Sequence, residues 1–332
     1  MAGWDLKSGA LQYIPVSEDR LWTVFNFIFS DAAAKRSTYK FGLIKAILDN
    51  LFNCTIINDE FVLFHQDIFT KFTENYWNLV LKYHLKQLRP DDKSKYSHIE
   101  RIFMQVQKNY QLPVEIPFNS LDDALKKQII FDVQKSCKKN VLGALYKDLD
   151  GIVYGFDLEK DYLVLHPVAY QFMMKYKMEL ERLNYYAWAK FLETINEDSV
   201  LIKLLDKLEL ALPQRKNLDI FRNTLYEEFK QENCFYCGKK LNNTMHVDHF
   251  IPWSFMKEDN LWNFVLTCPV CNTRKNNKLP EQIFVKKLEI RNSEIILLTD
   301  FSKEQFESYQ PNLISNLWQY AYYAGFKEFK VK

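Results

Sequence analysis

The residues with the most direct chemical potential lie in the stretch HVDHFIPW, which occupies residues 246–253. This stretch places His246, Asp248 and His249 within four consecutive positions. An imidazole, with an unperturbed pKa of about 6.5, exchanges a proton at neutral pH, and a carboxylate binds hard cations such as Mg²⁺. The stretch is either a metal-binding catalytic strand or an apolar hairpin that happens to carry imidazoles, and the residues on either side decide between the two.

Four of the six cysteines form two C-x-x-C pairs on either side of this stretch: Cys234, Cys237, Cys268 and Cys271. Four thiolates complete the tetrahedral shell of a zinc ion and leave no position for a substrate, so such a site is structural. One pair alone would also suit a redox motif, whereas two pairs in a reducing compartment favour metal over disulfides. The sequence therefore predicts a structural Zn²⁺ bound by these cysteines.

The 30 residues between the two pairs predict the elements that position this chemistry. Residues 246–253 have the pattern of a strand, residues 264–267 that of a returning strand, and the residues after Cys268 that of a helix start. Two strands and a helix, with zinc at both ends, make a ββα unit. We therefore expect the histidines and the aspartate on a short hairpin beside the start of a helix.

The rest of the chain is predicted to be mainly helical with short β-hairpins, so the fold class is α+β. Helical spacing of apolar residues occurs in 39–52, 69–88, 120–149, 169–196, 217–233, 280–292 and 312–326, and a hairpin pattern in 151–167. We expect three parts: a mainly helical domain over 1–215, the ββα unit with its cysteine pairs over 216–292, and a helical tail over 293–332 that packs on the body.

A weak internal repeat occurs in the first 200 residues. FVLFH (61–65) and YLVLH (162–166) hold the same place between two helical segments. Helix plus hairpin is the skeleton of a winged helix, so a duplicated nucleic-acid-reading unit is one interpretation. Two similar α/β units that merely pack together are the simpler one.

Composition and charge exclude several classes of protein. The chain is 48% hydrophobic and 26% charged, with only 8 glycines and 10 prolines, which is typical of a globular protein rather than a disordered one. It has neither an apolar run of about 18 residues nor a basic-then-apolar N-terminal pattern, so we expect a soluble, cytoplasmic protein without membrane contact. Because the net charge is only +2, any phosphate-binding surface must be a local patch.

The region around the cysteine pairs resembles the HNH nuclease family, or ββα-metal fold, in its four-cysteine zinc form. The resemblance rests on His249 directly after Asp248, then Asn263, then Asn272 immediately after the last cysteine. The run VDHFIPWSFMKEDNLWNFVLT is also similar to the HNH domain of the RNA-guided CRISPR effector nucleases, which lack these cysteines. The resemblance covers about residues 217–292, and the first two thirds of the chain carry none.

This resemblance implies a metal-dependent endonuclease that hydrolyses DNA to 5′-phosphate and 3′-hydroxyl ends. His249 would be the general base, and Asn263 would orient that imidazole or its loop. Asp248 and Asn272 would bind one Mg²⁺, for which Mn²⁺ could substitute.

Phosphate contacts are expected from basic residues next to this motif: His246, Arg274, Lys275 and Lys278. Residues 234–280 hold six lysines and arginines against three acidic residues, and such a local excess suits the DNA backbone. A solvated helix face is the alternative explanation. DNA is the expected partner, with a homodimer or a defence-system protein as further candidates.

The biological role implied by analogy is bacterial restriction or anti-phage defence. The alternatives are a non-catalytic, zinc-stabilised DNA-binding or scaffold protein, and a mobile-element homing nuclease. The presence of all four motif residues favours an active enzyme over the scaffold.

Overall fold

A computed structural model describes residues 5–90, 94–210, 218–242 and 244–331. The chain divides into two compact units, Met1–Gln214 and Arg215–Lys332. The expected boundary at residue 215 falls in 211–217, outside the described residues. Across the described ranges, no helix has both the length and the apolar character needed to cross a lipid bilayer.

Nine helices are described in the first unit, and several begin at the polar caps that their sequences supply. Ser17 and Asp122 accept backbone N–H groups at the starts of α1 and α5, and Ser97 forms a capping box with Glu100 at the start of α4. The helices are α1 (Glu18–Phe29), α2 (Tyr39–Asp49), α3 (His65–Leu81), α4 (His98–Asn109), α5 (Asp123–Asp148), α6 (Pro167–Lys175), α7 (Lys177–Glu193), α8 (Asp198–Leu201) and α9 (Leu204–Leu210).

One antiparallel sheet lies among these helices, with strand order β1-β4-β5-β3-β2. Its strands are β1 (Ser8–Gly9), β2 (Thr55–Ile57), β3 (Glu60–Phe64), β4 (Tyr154–Asp157) and β5 (Tyr162–Leu165). Two hairpins, β2–β3 and β4–β5, meet at the centre, where Leu63 lies opposite Leu163 and both are fully buried. The second hairpin therefore forms as the pattern in 151–167 predicts.

The internal repeat is visible in the structure as two hairpins with the same strand register. The matching segments begin at 61 and 162, a spacing of 101 residues. Thr55 and Val62 lie opposite each other in the first hairpin, and the residues 101 positions later, Phe156 and Leu163, lie opposite each other in the second. Because β3 and β5 also pair with each other, the two copies form a single sheet around a local two-fold axis. The winged-helix interpretation stays a prediction.

Some helix boundaries differ from the sequence expectation. The single helix expected over 169–196 is two helices, because Tyr176 leaves the helical conformation with φ −108° and ψ 24°. Its neighbours keep helical spacing, so a break of one residue leaves no signal in the sequence. The helix expected over 69–88 begins at His65 and ends at Leu81. The one expected over 217–233 is a five-residue α-helix, Asp219–Asn223, followed by five residues of π-helix, Thr224–Glu228.

The second unit contains the ββα arrangement and the helical tail, as expected. Strands β6 (His246–His249) and β7 (Phe264–Thr267) form an antiparallel hairpin, and α12 (Pro269–Lys275) follows. The other elements are α10 (Asp219–Asn223), α11 (Trp253–Met256), β8 (Leu279–Pro280), α13 (Ile283–Glu294), α14 (Asp300–Phe306), α15 (Leu313–Tyr323) and β9 (Glu328–Phe329). The tail packs on the module through the β8–β9 pair and through the Trp318 indole, which donates to the carbonyl of Pro280. The α+β fold class is confirmed.

Candidate active site

The four cysteines of the two C-x-x-C pairs converge on one point. Their sulfur atoms all lie within 4.8 Å of one another, and Sγ of Cys237 is 3.8 Å from Sγ of Cys268. Tetrahedral Zn–S bonds of about 2.3 Å would separate neighbouring sulfurs by about 3.8 Å. The cluster is therefore suitable for a structural zinc ion, as the sequence predicts.

The first knuckle, formed by the C-x-x-C pair Cys234 and Cys237, has the backbone and thiol chemistry of a metal-binding loop. Cys234 donates its N–H to the carbonyl of Lys239, and Gly238 donates to the carbonyl of Cys234. Gly238 has φ +72°, a conformation that residues with a Cβ rarely adopt. Burial raises the pKa of Cys237, but hydrogen bonds from the Lys239 amide and the neighbouring thiols outweigh burial and lower this pKa to about 7. Such a thiol readily supplies a thiolate ligand.

Asn263 joins the two strands of the hairpin where they diverge. Its Oδ1 accepts the N–H of Ile251 at 2.9 Å, and its Nδ2 donates to the carbonyl of Ile251 at 3.0 Å. Its own carbonyl accepts the N–H of Phe250 at 2.8 Å. Asn263 is fully buried and contacts the backbone that follows His249, so its position fits the expected orienter of the loop, and its amide bonds to that backbone instead of to the imidazole.

Removing the Asn263 amide should destabilise this hairpin. The substitution Asn263→Ala leaves the buried N–H and carbonyl of Ile251 without their partners, which costs about 1–3 kcal/mol. We expect denaturant titration to report a loss of that size in the free energy of unfolding. The same substitution at the exposed Asn316 should change it by less than about 0.5 kcal/mol. Equal effects at both positions would contradict the structural role of Asn263.

Asp248 is buried between the first knuckle and α12, which carries Cys271 of the second knuckle (Cys268 and Cys271). The hydroxyl of Tyr236 donates to its Oδ2 at 2.7 Å, and Nζ of Lys275 lies 3.2 Å from Oδ1 and 3.1 Å from Oδ2. Lys275 also donates to the carbonyl of His249 at 2.7 Å. Burial raises the pKa of Tyr236, and the adjacent Asp248 raises it further, so the hydroxyl remains a donor. Burial lowers the pKa of Lys275, and Asp248 partly offsets that shift.

His249 has a different set of partners from its neighbour Asp248. Its Nε2 lies 2.8 Å from Oδ1 of Asp259, and its ring packs edge-on against Phe264 with centroids 4.6 Å apart. Among the residues that the structure describes, Nδ1 has no hydrogen-bond partner. With the carboxylate of Asp259 accepting a hydrogen bond from Nε2–H, the lone pair of the ring lies on Nδ1. The arrangement can therefore take up a proton at Nδ1.

A family model described as HNH endonuclease matches residues 234–278. The match begins at the first cysteine of the cluster and includes Asp248, His249, Asn263 and Asn272. Residues 234–278 form an HNH endonuclease domain. No curated protein matches the chain.

Asn272 lies on the HNH helix α12, one turn before Lys275. It is half-buried and precedes Lys275 by three positions, and residues three apart share a helix face. Because Lys275 contacts Asp248, this face of α12 is the one turned toward β6. A carboxylate and an amide oxygen, completed by water, are ligands that Mg²⁺ accepts. The donor set fits a divalent cation, which would share the Asp248 carboxylate with the Lys275 ammonium.

The expected phosphate contacts of the HNH domain occupy different environments. His246 is exposed at the start of β6, and Arg274 and Lys278 are exposed on and after α12. Arg274 also donates to the carbonyl of Lys330 at 3.1 Å. Lys275 differs from the expectation, because it is fully buried with its ammonium bonded to Asp248 and His249 instead of facing solvent. Helical geometry points it inward, one turn after Asn272.

Sequence reasoning missed two residues that contact the hairpin, Asp259 and Arg291. Asp259 lies in the loop between the two strands, ten positions after His249, and the predicted hairpin alone could have suggested that this loop returns to the histidine. Arg291 of α13 donates to the carbonyls of Phe264 and Trp262, on either side of Asn263. Burial lowers the pKa of Arg291 to about 9. No local pattern in the sequence connects α13 to this loop.

Proposed function

We propose that the protein is a Mg²⁺-dependent HNH endonuclease that hydrolyses DNA phosphodiester bonds. The observation that carries the proposal is the pairing of His249 Nε2 with Asp259, inside the segment that matches the HNH model. This pairing leaves Nδ1 as the basic nitrogen of the imidazole. The buried carboxylate of Asp248, the residue before His249, is a second observation that supports the proposal.

His249 acts as the general base in this proposal. Its Nδ1 takes the proton of a water molecule that attacks phosphorus, and Asp259 stabilises the imidazolium that results. His249 is the last residue of β6, so the alternation of side chains along the strand ends at this position. Asn263 contributes by fixing the backbone that leaves the strand.

Asp248 and Asn272 are the proposed ligands of the divalent cation. When bound, Mg²⁺ supplies charge neutralisation at the scissile phosphate and at the departing 3′ oxygen. The chain's own part is to present a carboxylate and an amide oxygen from two elements fixed against each other. The proposed products carry 5′-phosphate and 3′-hydroxyl ends.

His246, Arg274 and Lys278 are the proposed contacts to the DNA backbone, because their side chains are exposed beside the proposed catalytic residues. Lys275 has an interior role instead, as a cation bonded to Asp248. The first unit, Met1–Gln214, is proposed to bind DNA or to regulate cleavage.

Substrate class is tested by incubating the full chain with matched duplex DNA, single-stranded DNA and RNA in Mg²⁺. The proposal expects cleavage of DNA and ends that DNA ligase can rejoin, since ligase requires a 5′-phosphate and a 3′-hydroxyl. Cleavage confined to RNA, or ends with 3′-phosphate, would contradict the substrate or the mechanism respectively.

Replacing Asp259 by asparagine should slow cleavage without weakening DNA binding. An amide at Nε2 can no longer stabilise the imidazolium, and it permits the wrong tautomer. We expect kcat to fall by about 10²-fold or more, the lower range of what a positioned general base contributes. KM for DNA should stay within about twofold.

Steady-state kinetics with Asp300→Asn as the matched control check this expectation. Asp300 is an exposed carboxylate of the same unit, and its variant should keep the original kcat. An unchanged kcat in Asp259→Asn would remove Asp259 from the mechanism.

The proposed biological setting is restriction or anti-phage defence, and it rests on analogy of form alone. The second candidate is a non-catalytic, zinc-stabilised DNA-binding scaffold, which would bind the DNA substrates above and leave all of them intact. A mobile-element homing nuclease would cleave one long site, and sequencing the ends made in a randomised DNA library distinguishes it.

A further inference from the structure

Tyr236 connects the first zinc knuckle to the carboxylate of Asp248. It lies between two cysteines of the cluster, and its hydroxyl donates to Oδ2 of Asp248 at 2.7 Å. The tyrosine side chain is therefore attached to the metal loop at one end and to the proposed Mg²⁺ ligand at the other. The proposed mechanism of hydrolysis assigns no role to this hydroxyl.

The position of Tyr236 is fixed on several sides. Its ring packs against Phe284 of α13 and Phe329 of β9, with centroids 5.3 and 5.7 Å away. The preceding residue, Phe235, donates its N–H to Leu266 of β7, so the knuckle is also bonded to the catalytic hairpin. A hydroxyl held this way directs one oxygen of Asp248 and leaves the carboxylate few orientations.

The second knuckle delivers its own donor to the same carboxylate. Cys271 lies on α12, and Lys275 lies one turn later with its ammonium on both oxygens of Asp248. Each zinc knuckle thus supplies one side chain to Asp248. A metal bound by the four cysteines would fix the separation of those two donors.

We propose that Tyr236 is a positioning residue that couples the cysteine cluster to the divalent-cation site by orienting Asp248. The proposal rests on the proposed function in one respect, namely that Asp248 is a ligand of that cation. Partners that orient a metal-binding carboxylate typically affect metal affinity by about 10–100-fold. Loss of the Tyr236 hydroxyl is therefore expected to weaken cation binding by about tenfold or more, while zinc stays bound.

Binding of Mn²⁺, followed by electron paramagnetic resonance on the zinc-loaded full chain without DNA, measures this coupling independently of cleavage. Tyr236→Phe should weaken Mn²⁺ binding by about tenfold or more, with zinc content and melting temperature retained. Tyr309→Phe makes the same chemical change at a ring that packs on Trp262 and Phe306, and it should leave Mn²⁺ affinity within twofold.

Two further replacements separate the hydrogen bond from packing, and they decide the matter if Tyr236→Phe fails to fold. Incorporation of 4-aminophenylalanine at 236 keeps a donor in place of the hydroxyl and should restore Mn²⁺ affinity. Incorporation of 4-methylphenylalanine fills the same space without a donor and should bind Mn²⁺ as weakly as Tyr236→Phe.

The outcomes distinguish this inference from the function on which it rests. Wild-type protein that fails to bind Mn²⁺, or binds it equally well after Asp248→Asn, overturns both the cation site and the coupling. Wild-type binding that depends on Asp248 but is unchanged in Tyr236→Phe and with 4-methylphenylalanine overturns the coupling alone. Weak binding in both donor-free proteins, with rescue by the amino derivative, supports it.

Discussion

Replacing His249 by alanine is expected to reduce the rate of DNA cleavage by about 10²–10⁴-fold, the range that a positioned general base contributes. In the proposed mechanism, Nδ1 of this imidazole accepts the proton of the attacking water, because Asp259 is hydrogen-bonded to Nε2. DNA affinity should persist, since the proposed backbone contacts belong to other side chains. Single-turnover cleavage of a supercoiled plasmid and a gel-shift titration in Ca²⁺ measure the two quantities separately.

The matched control for this experiment is His98→Ala. His98 is an exposed histidine of α4, in the other compact unit, and its removal should leave the cleavage rate within twofold. Full activity in His249→Ala would contradict the assignment of the base. A parallel loss of DNA binding would indicate a structural effect instead of a chemical one.

Replacing Cys268 by serine is expected to abolish zinc binding and to unfold the second unit. Structural zinc sites in small modules supply apparent binding free energies of about 10 kcal/mol or more, comparable with the whole stability of a domain. Cys268 is also the N-cap of α12, which carries Asn272 and Lys275. Loss of the cluster should therefore remove both the fold of the module and the environment of Asp248.

Zinc content and a thermal melt of the purified variant test this expectation. Cys54→Ala removes a buried thiol from the first unit and should keep zinc at one per chain, the stoichiometry that four thiolates imply. Stoichiometric zinc and an unchanged melt in Cys268→Ser would contradict a structural role for the cluster.

The sequence was sufficient to predict the cysteine cluster and the nuclease module because both depend on residue type at short spacing. Thiolates in two C-x-x-C pairs have few other uses, and the motif residues Asp248, His249, Asn263 and Asn272 lie within one hairpin and the start of one helix. Residues this close in sequence also lie close together in the folded module. The match over residues 234–278 confirms the nuclease module, and the convergence of the four sulfur atoms confirms a cluster suitable for zinc.

Contacts made across elements could not be predicted in the same way. Lys275 resembles any solvated lysine at a helix start, and only the packing of α12 on β6 turns it toward Asp248. Asp259 lies in the loop between β6 and β7, and Tyr236 lies in the first knuckle. The positions of both segments depend on how the whole module folds. The pairing of β3 with β5 likewise requires tertiary structure, because the two hairpins are about 100 residues apart.

The most direct test of the account separates the roles of the two metals. Zinc-loaded protein is freed of other cations by passage over a weak chelating resin, and its zinc content is verified before cleavage of supercoiled plasmid is followed during a Mg²⁺ titration. The account predicts no cleavage with zinc alone and a saturable rise as Mg²⁺ is added. Equal cleavage before and after addition of Mg²⁺, at constant zinc, would contradict it.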